Sequence, residues 1–193
     1  SLKGVPRHKR ARLGITRTFQ NLRLFNTLSV LDHVMAGRFY RSDASFMSCS
    51  LLTKAARVEN EANIVRSIEL LELVGLKGKE HLAAASLPYG QRRQLEIARA
   101  LATDPCLLLL DEPAAGMSSG EINDLIDLIF KIRGMGITVV FIEHRMPVVM
   151  TAADKIVVLN YGRNIAQGNA EEIQANTQVI EAYLGSAYKR ELK

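Results

Sequence analysis

Cysteine is scarce in this 193-residue chain: Cys49 and Cys106 are its only two. Two thiols make no disulfide framework, and without further cysteines neither a CxxC metal pair nor a CxxC redox motif is available. Cys106 opens an apolar run and is expected to be a small buried residue. An apolar N-terminal segment is also lacking, so no signal peptide is visible. No apolar run reaches bilayer-spanning length; the longest continuous one, Cys106 to Leu110, is strand-sized. Internal repeats and low-complexity segments are missing as well. These absences predict a soluble cytoplasmic protein whose role at a membrane would be peripheral.

The composition is that of a globular chain, with 48% hydrophobic and 23% charged residues, enough for one domain with a sizeable core. The formal net charge is +5. Part of the excess lies at the front, where Lys3, Arg7, Lys9, Arg10 and Arg12 occur without an acid among them. Such a cluster is either a solvated face near a chain end or a patch for nucleic acid or anionic lipid.

Periodicity and punctuation predict an alternation of strands and helices. Arg7 to Leu13 reads as a short helix after Val5-Pro6, ended by Gly14. Ile15 to Phe19 alternates and is rich in β-formers, a strand with Gln20 just past its end. Thr27 or Ser29 can cap a helix to about Phe39, with Val30, Leu31, Val34 and Met35 on one face. Ser42 to Ser50 reads as a loop. Thr53 to Val74 reads as a long helix whose apolar face is Ile64, Ile68, Leu71 and Val74, capped by Gly75. A further helix spans about Arg92 to Ala102, broken at Asp104-Pro105. Cys106 to Leu110 and Ile137 to Ile142 are continuous apolar runs, as expected of strands buried on both sheet faces. Between them, Ser118 and Glu121 form a capping box for a helix to about Arg133. A short helix from Met146 to Ala152, a strand from Lys155 to Leu159, a turn at Tyr161-Gly162-Arg163, a short strand around Ile165 and a helix capped by Asn169 complete the pattern. This order predicts an α/β fold with a parallel sheet. The helical middle, residues 27–103, reads as a lobe inserted between core strands.

Four positions carry chemistry. Asp111 and Glu112 end a buried strand, at the carboxyl edge of a parallel sheet, where ligands bind. Asp111 there can hold Mg²⁺, a cation that prefers oxygen ligands and keeps several waters. Glu112, one residue on, is expected to face the other way and polarise an attacking water. An acidic turn after a core strand fits the same residues. Leu87-Pro88-Tyr89-Gly90-Gln91 leads into a helix; glycine permits close backbone approach, and a helix start offers free N–H groups to a phosphate. An ordinary turn fits it equally. His144 follows a strand and can bond a phosphate oxygen. Gln20 follows another and can touch water or a metal shell. Alone, each is a common structural feature; together they put phosphate- or magnesium-compatible groups at four strand ends or helix starts of one chain.

In combination these segments resemble the ATP-binding family of ABC transporters. Leu87 to Gln91, followed by Arg-Arg-Gln-Leu-Glu-Ile-Ala-Arg-Ala-Leu101, resembles the ABC signature and its helix, with Pro88 and Tyr89 in place of the commoner serine and glycine. Leu107 to Pro113 resembles the Walker B strand and catalytic glutamate, and Ala114-Ala115-Gly116-Met117 stands where the D-loop follows. His144 matches the switch histidine and Gln20 the Q-loop. Gly14 to Phe25, Glu112 to Gly116 and Val179 to Gly185 resemble the ATP-binding subunits of branched-chain amino acid importers; urea and amide importers look much alike.

The resemblance implies an ABC-type nucleotide-binding domain of the P-loop NTPase class. It reads residues 1–193 as one partial ABC ATPase domain, with a helical signature lobe at about 27–103 and a C-terminal extension at about 164–193. It implies ATP and Mg²⁺ as cofactors and assigns Asp111 and Gln20 to the metal, and Glu112 and His144 to catalysis. Leu87, Pro88, Tyr89, Gly90, Gln91, Ala115, Gly116 and Gln20 fall to the nucleotide. The implied partners are a second ABC ATPase subunit facing head to tail, transmembrane permease subunits and, indirectly, a periplasmic binding protein. No nucleic acid is expected, and the implied location is the cytoplasmic face of the inner membrane. No GxxGxGK[ST] loop occurs in the sequence. As it stands the chain is therefore expected not to hydrolyse ATP unaided, and its core sheet to lack the Walker A strand. Two other classes stay open: a non-transport ABC ATPase acting on nucleic acid or ribosomes, and a non-enzymatic truncated remnant.

Overall fold

The computed structural model describes residues 4–6, 11–18, 24–25, 27–39 and 54–184. They fall into two compact units, Ser1–Ile142 and Glu143–Lys193. The expected loop at 42–50, Gln20, and all of the basic N-terminal cluster except Arg12 lie outside the described residues.

The first unit is built on a parallel sheet of β1 (Ile15–Arg17), β2 (Leu107–Asp111) and β3 (Thr138–Ile142), with β2 in the middle. Its register sets Arg17 beside Leu109 and Asp111 beside Ile142. In β2, Leu108 and Leu110 are buried, but Leu107 and Leu109 are only half-buried. β3 departs further from two-sided burial: Val140 and Ile142 are 49% and 63% exposed. Within this unit β3 packs against α4 (Ser119–Gly134). Cys106 is exposed, contrary to expectation. It lies just ahead of β2, and its N–H donates to Gly14 O at 2.8 Å.

Between β1 and β2 the chain forms α1 (Val30–Arg38), α2 (Lys54–Leu73) and α3 (Tyr89–Leu101), which pack against one another in pairs. α1 begins where expected, at a capping box of Ser29 and Asp32. Of the expected apolar face, Leu71 and, just past the end of α2, Val74 are buried and Ile64 is half-buried, whereas Ile68 is 37% exposed. Ser67 and Leu70 are buried as well, on the side where α2 packs against α1 and α3. α3 starts at Tyr89, three residues before the predicted Arg92, with Pro88 as N-cap. Leu95, Ile97, Ala98 and Leu101 of α3 are buried. Burying four such side chains supplies about 25 cal/mol per Å² of apolar surface removed from water.

The second unit holds α5 (Met146–Ala152), the strands β4 (Ile156–Asn160) and β5 (Arg163–Gly168), and α6 (Ala170–Gln174). β4 and β5 form an antiparallel hairpin. Tyr161 and Gly162 both have positive φ, 45° and 76°, which suits the two-residue turn whose twist matches paired strands. Ile156, Val158, Ile173 and Val179 form this unit's core. Asn169 caps α6 through Glu172 N–H, as expected.

Candidate functional site

Asp111 is the last residue of the central strand, at the carboxyl edge of the parallel sheet. Its Oδ2 accepts from Arg17 Nη2 at 2.6 Å, across from the neighbouring strand. The pair is unequal in exposure: the Asp111 side chain is 19% exposed and Arg17 58%. With one end in water the pair contributes little to stability, about 0–1 kcal/mol. Its consequence is local: the Asp111 carboxylate is held at the rim of the sheet.

Glu112 continues the ladder for one step, its N–H donating to Ile142 O at 2.9 Å. It then leaves the strand with φ +45°, in the left-handed region that a residue with a Cβ rarely occupies. Strand alternation, which would turn Glu112 away from Asp111, therefore does not set its orientation; the turn does. Its carbonyl accepts from Ala115 N–H at 3.1 Å and from Arg93 Nη2 at 3.3 Å. Pro113 and Ala114 are buried behind it.

The turn runs on through Ala115 to Gly116, which has φ +73° and touches the start of α3. A Cβ at Gly116 would lie 3.0 Å from Tyr89 Cε1. The segment after Asp111 and the glycine-bearing helix start thus meet in one unit. At that start Leu87 and Gly90 are buried, Pro88 and Tyr89 exposed, and Gln91 half-buried with Lys79 Nζ donating to its Oε1 at 2.8 Å. Gly90 is covered by the side chain of Glu121, which also caps α4. Glu121 Oε2 accepts from Ser118 N–H at 2.8 Å and from Ser118 Oγ at 2.7 Å. The backbone bond, then the hydroxyl bond, holds the Glu121 carboxyl below its ordinary range. Its Oε1 lies where it would clash with a Cβ at residue 90. A cleft of about 360 Å³ opens beside this contact, lined among others by Gly90, Gln91, Gln94, Glu121, Asp124 and Lys131.

Three residues near the carboxylates went unread in the sequence: Arg17, Arg93 and Glu96. Arg93 and Glu96 form an ion pair at 2.7 Å with both side chains 1% exposed. The readable signal was a pair of opposite charges three apart on the inner face of a helix, where solvated charges are not found. His144 belongs to the second unit, where it is exposed and its N–H donates to Glu143 Oε2 at 3.1 Å.

Comparison with known proteins sets this geometry in a family. The family model described as "ABC transporter" matches residues 2–115. The chain belongs to the ABC transporter ATP-binding family. A second model, "Branched-chain amino acid ATP-binding cassette transporter", matches residues 163–189 of this ABC protein. It is 41% identical over 187 residues to the high-affinity branched-chain amino acid transport ATP-binding protein BraF of Pseudomonas aeruginosa, covering 96% of this chain and 73% of that protein. It is 38% identical, with the same coverage, to the corresponding protein LivG of Escherichia coli strain K12. Among solved structures it resembles an ATP-binding cassette of an ABC transporter in its ADP conformation. That match has a TM-score of 0.75 and 29% identity, covering 93% of this chain and 71% of the other. A nucleotide-free ATP-binding cassette matches with a TM-score of 0.74 and 30% identity, covering 93% and 72%. Among the described residues, no helix is long and apolar enough to cross a membrane.

Proposed function

We propose that this ABC ATPase subunit drives import of branched-chain amino acids, coupling ATP binding and hydrolysis to movement of transmembrane permease subunits. It would do so as one half of a head-to-tail ATPase pair on the cytoplasmic membrane face, fed indirectly by a periplasmic binding protein. The observation that carries the reading is the Asp111–Glu112 pair at the carboxyl end of the central strand, in a turn packed against the Gly90 helix start. The named relatives BraF and LivG support the choice of solute class.

Asp111 fits a magnesium ion shared with a nucleotide. It is a single part-exposed carboxylate at a strand end, and no group of three or more potential ligands stands among the described residues. Mg²⁺ typically takes one or two carboxylates and fills its shell with water and phosphate oxygens, so one aspartate suffices. Gln20 would add a second oxygen. When bound, the ion would neutralise charge on the β- and γ-phosphates.

The remaining work falls to the chain. Glu112 would orient and deprotonate the attacking water, with the Ile142, Ala115 and Arg93 bonds fixing its backbone. His144 would donate to a γ-phosphate oxygen. Leu87 to Gln91 would present the start of α3 to ATP held by the second subunit, with Ala115 and Gly116 as the adjoining contact. Because Glu121 covers Gly90, the exposed Pro88 and Tyr89 would make the first contact with that nucleotide.

The test is ATP turnover by the subunit in a form that carries a GxxGxGK[ST] loop upstream, assembled with its partner ATPase and permease. Glu112→Gln should lower kcat by about 10²–10⁴-fold with nucleotide affinity retained. Parental turnover would remove Glu112 from the role. Leucine uptake into proteoliposomes containing the assembly checks the solute, and uptake of urea without leucine would overturn that part.

A further inference from the structure

We infer that Arg93 is a positioning residue for ATP turnover: it ties the signature helix α3 to the backbone of Glu112 and holds that glutamate in its left-handed conformation. The inference rests on the assignment of Glu112 to water activation.

Glu112 carries a Cβ yet sits at φ +45°. Such a conformation is costly and persists only where surrounding structure over-determines it. Three bonds do so: its N–H to Ile142 O, Ala115 N–H to its carbonyl, and Arg93 Nη2 to the same carbonyl. The first two come from the sheet and from the turn itself. The third comes from α3, three residues after Gly90, so it joins the proposed nucleotide-facing helix start to the proposed catalytic turn.

The burial of Arg93 argues against simple packing. Its side chain is 1% exposed and Nη1 donates to Glu96 Oε2, also 1% exposed. Apolar residues of similar volume often stabilise a core as well as a buried ion pair does, or better. A guanidinium offers what they cannot, several N–H donors in one rigid plane. One end is held by Glu96 and another reaches Glu112 O. A lysine would bring a single ammonium and could not reproduce the fork. A shift of α3 when nucleotide binds at its start would therefore be felt at the backbone of Glu112.

The experiment compares ATP turnover in the assembled transporter for three variants. Arg93→Met/Glu96→Leu removes both charges together and keeps the volume apolar. It should melt within about 5 °C of the parent, while kcat falls about 10- to 100-fold at an unchanged KM for ATP. Arg93→Lys keeps the charge next to Glu96 and covers the case in which the double variant does not fold; its kcat should also drop at unchanged KM. Either folded variant turning over at the parental rate overturns the positioning role. Glu112→Gln separates the two ideas. Lost turnover there with parental turnover in the Arg93 variants sinks the positioning role alone, whereas parental turnover in Glu112→Gln sinks both.

Discussion

The carboxylate of Glu121 lies over Gly90 so closely that a Cβ at residue 90 would clash with Oε1. The same side chain caps α4 through Ser118. One residue therefore joins a helix cap to the start of a neighbouring helix, and its removal should be felt in both.

Gly90→Ala is expected to destabilise the protein even though alanine is the better helix former. The gain in propensity, about 1 kcal/mol, is outweighed by overpacking against Glu121 of about 1–3 kcal/mol. Adding Glu121→Ala should relieve the clash, leaving the double variant more stable than the sum of the singles by more than about 0.5 kcal/mol. Denaturant unfolding of the three variants measures this; strict additivity would mean that the two side chains do not meet.

Glu121 also makes a pH prediction. Its carboxyl titrates below its ordinary value near 4.5, because Ser118 donates first a backbone and then a hydroxyl hydrogen bond to the charged form. A folded-state pKa below the unfolded one means that the unfolded chain binds more protons as pH falls. The cap's contribution is present in full above about pH 4.5 and is lost as pH drops from there through the folded value. Thermal melts from pH 6 downward should show a steeper loss in the parent than in Glu121→Gln. Equal slopes would refute the link.

Local features of this fold are legible in the sequence, and non-local ones are not. The boxes at Ser29, Ser118 and Asn169 involve residues three apart, so a short window contains the whole interaction. β2 is legible because an apolar run closes on Asp-Glu-Pro. The burial of β3 is not, because it depends on what covers each face, which no short window of sequence contains. Cys106 follows the same rule: its neighbours look apolar along the chain, and its exposure is set in three dimensions. The site divides likewise. Asp111, Glu112 and Gly90 announce themselves by residue type and position. The left-handed residue that opens the turn is a glutamate, neither glycine nor asparagine, and the Arg93 bond spans nineteen residues of sequence.

His33 should titrate below the ordinary histidine range. It is fully buried in α1, and the loss of solvation disfavours the imidazolium; a bond to Ser29 O and nearby Asp32 oppose that, while Arg99 adds to it. Its Nε2 accepts from Phe25 N–H at 2.9 Å, so Nδ1 carries the proton and donates to Ser29 O at 2.8 Å. Protonating Nε2 removes the acceptor that anchors Phe25. With the folded pKa below the unfolded value of about 6.5, stability is complete above that pH and declines as pH falls toward the folded pKa. Imidazole NMR resonances should give a midpoint below 6.5 for His33. A midpoint above it would contradict the buried neutral ring.

The two faces of the sheet make a final contrast between neighbouring strands. Leu108 in β2 is fully buried, and Leu108→Ala leaves a cavity that surrounding side chains fill only in part, at a cost of about 2–5 kcal/mol. Val140 in β3 is 49% exposed although it sits in an equally apolar run. Val140→Thr keeps the β-branched shape and turns its hydroxyl toward solvent, so the change should stay within about 0.5 kcal/mol. Urea unfolding of both variants measures the difference. A loss at Val140 as large as that at Leu108 would mean that β3 is covered on both faces in solution, as its sequence alone had implied.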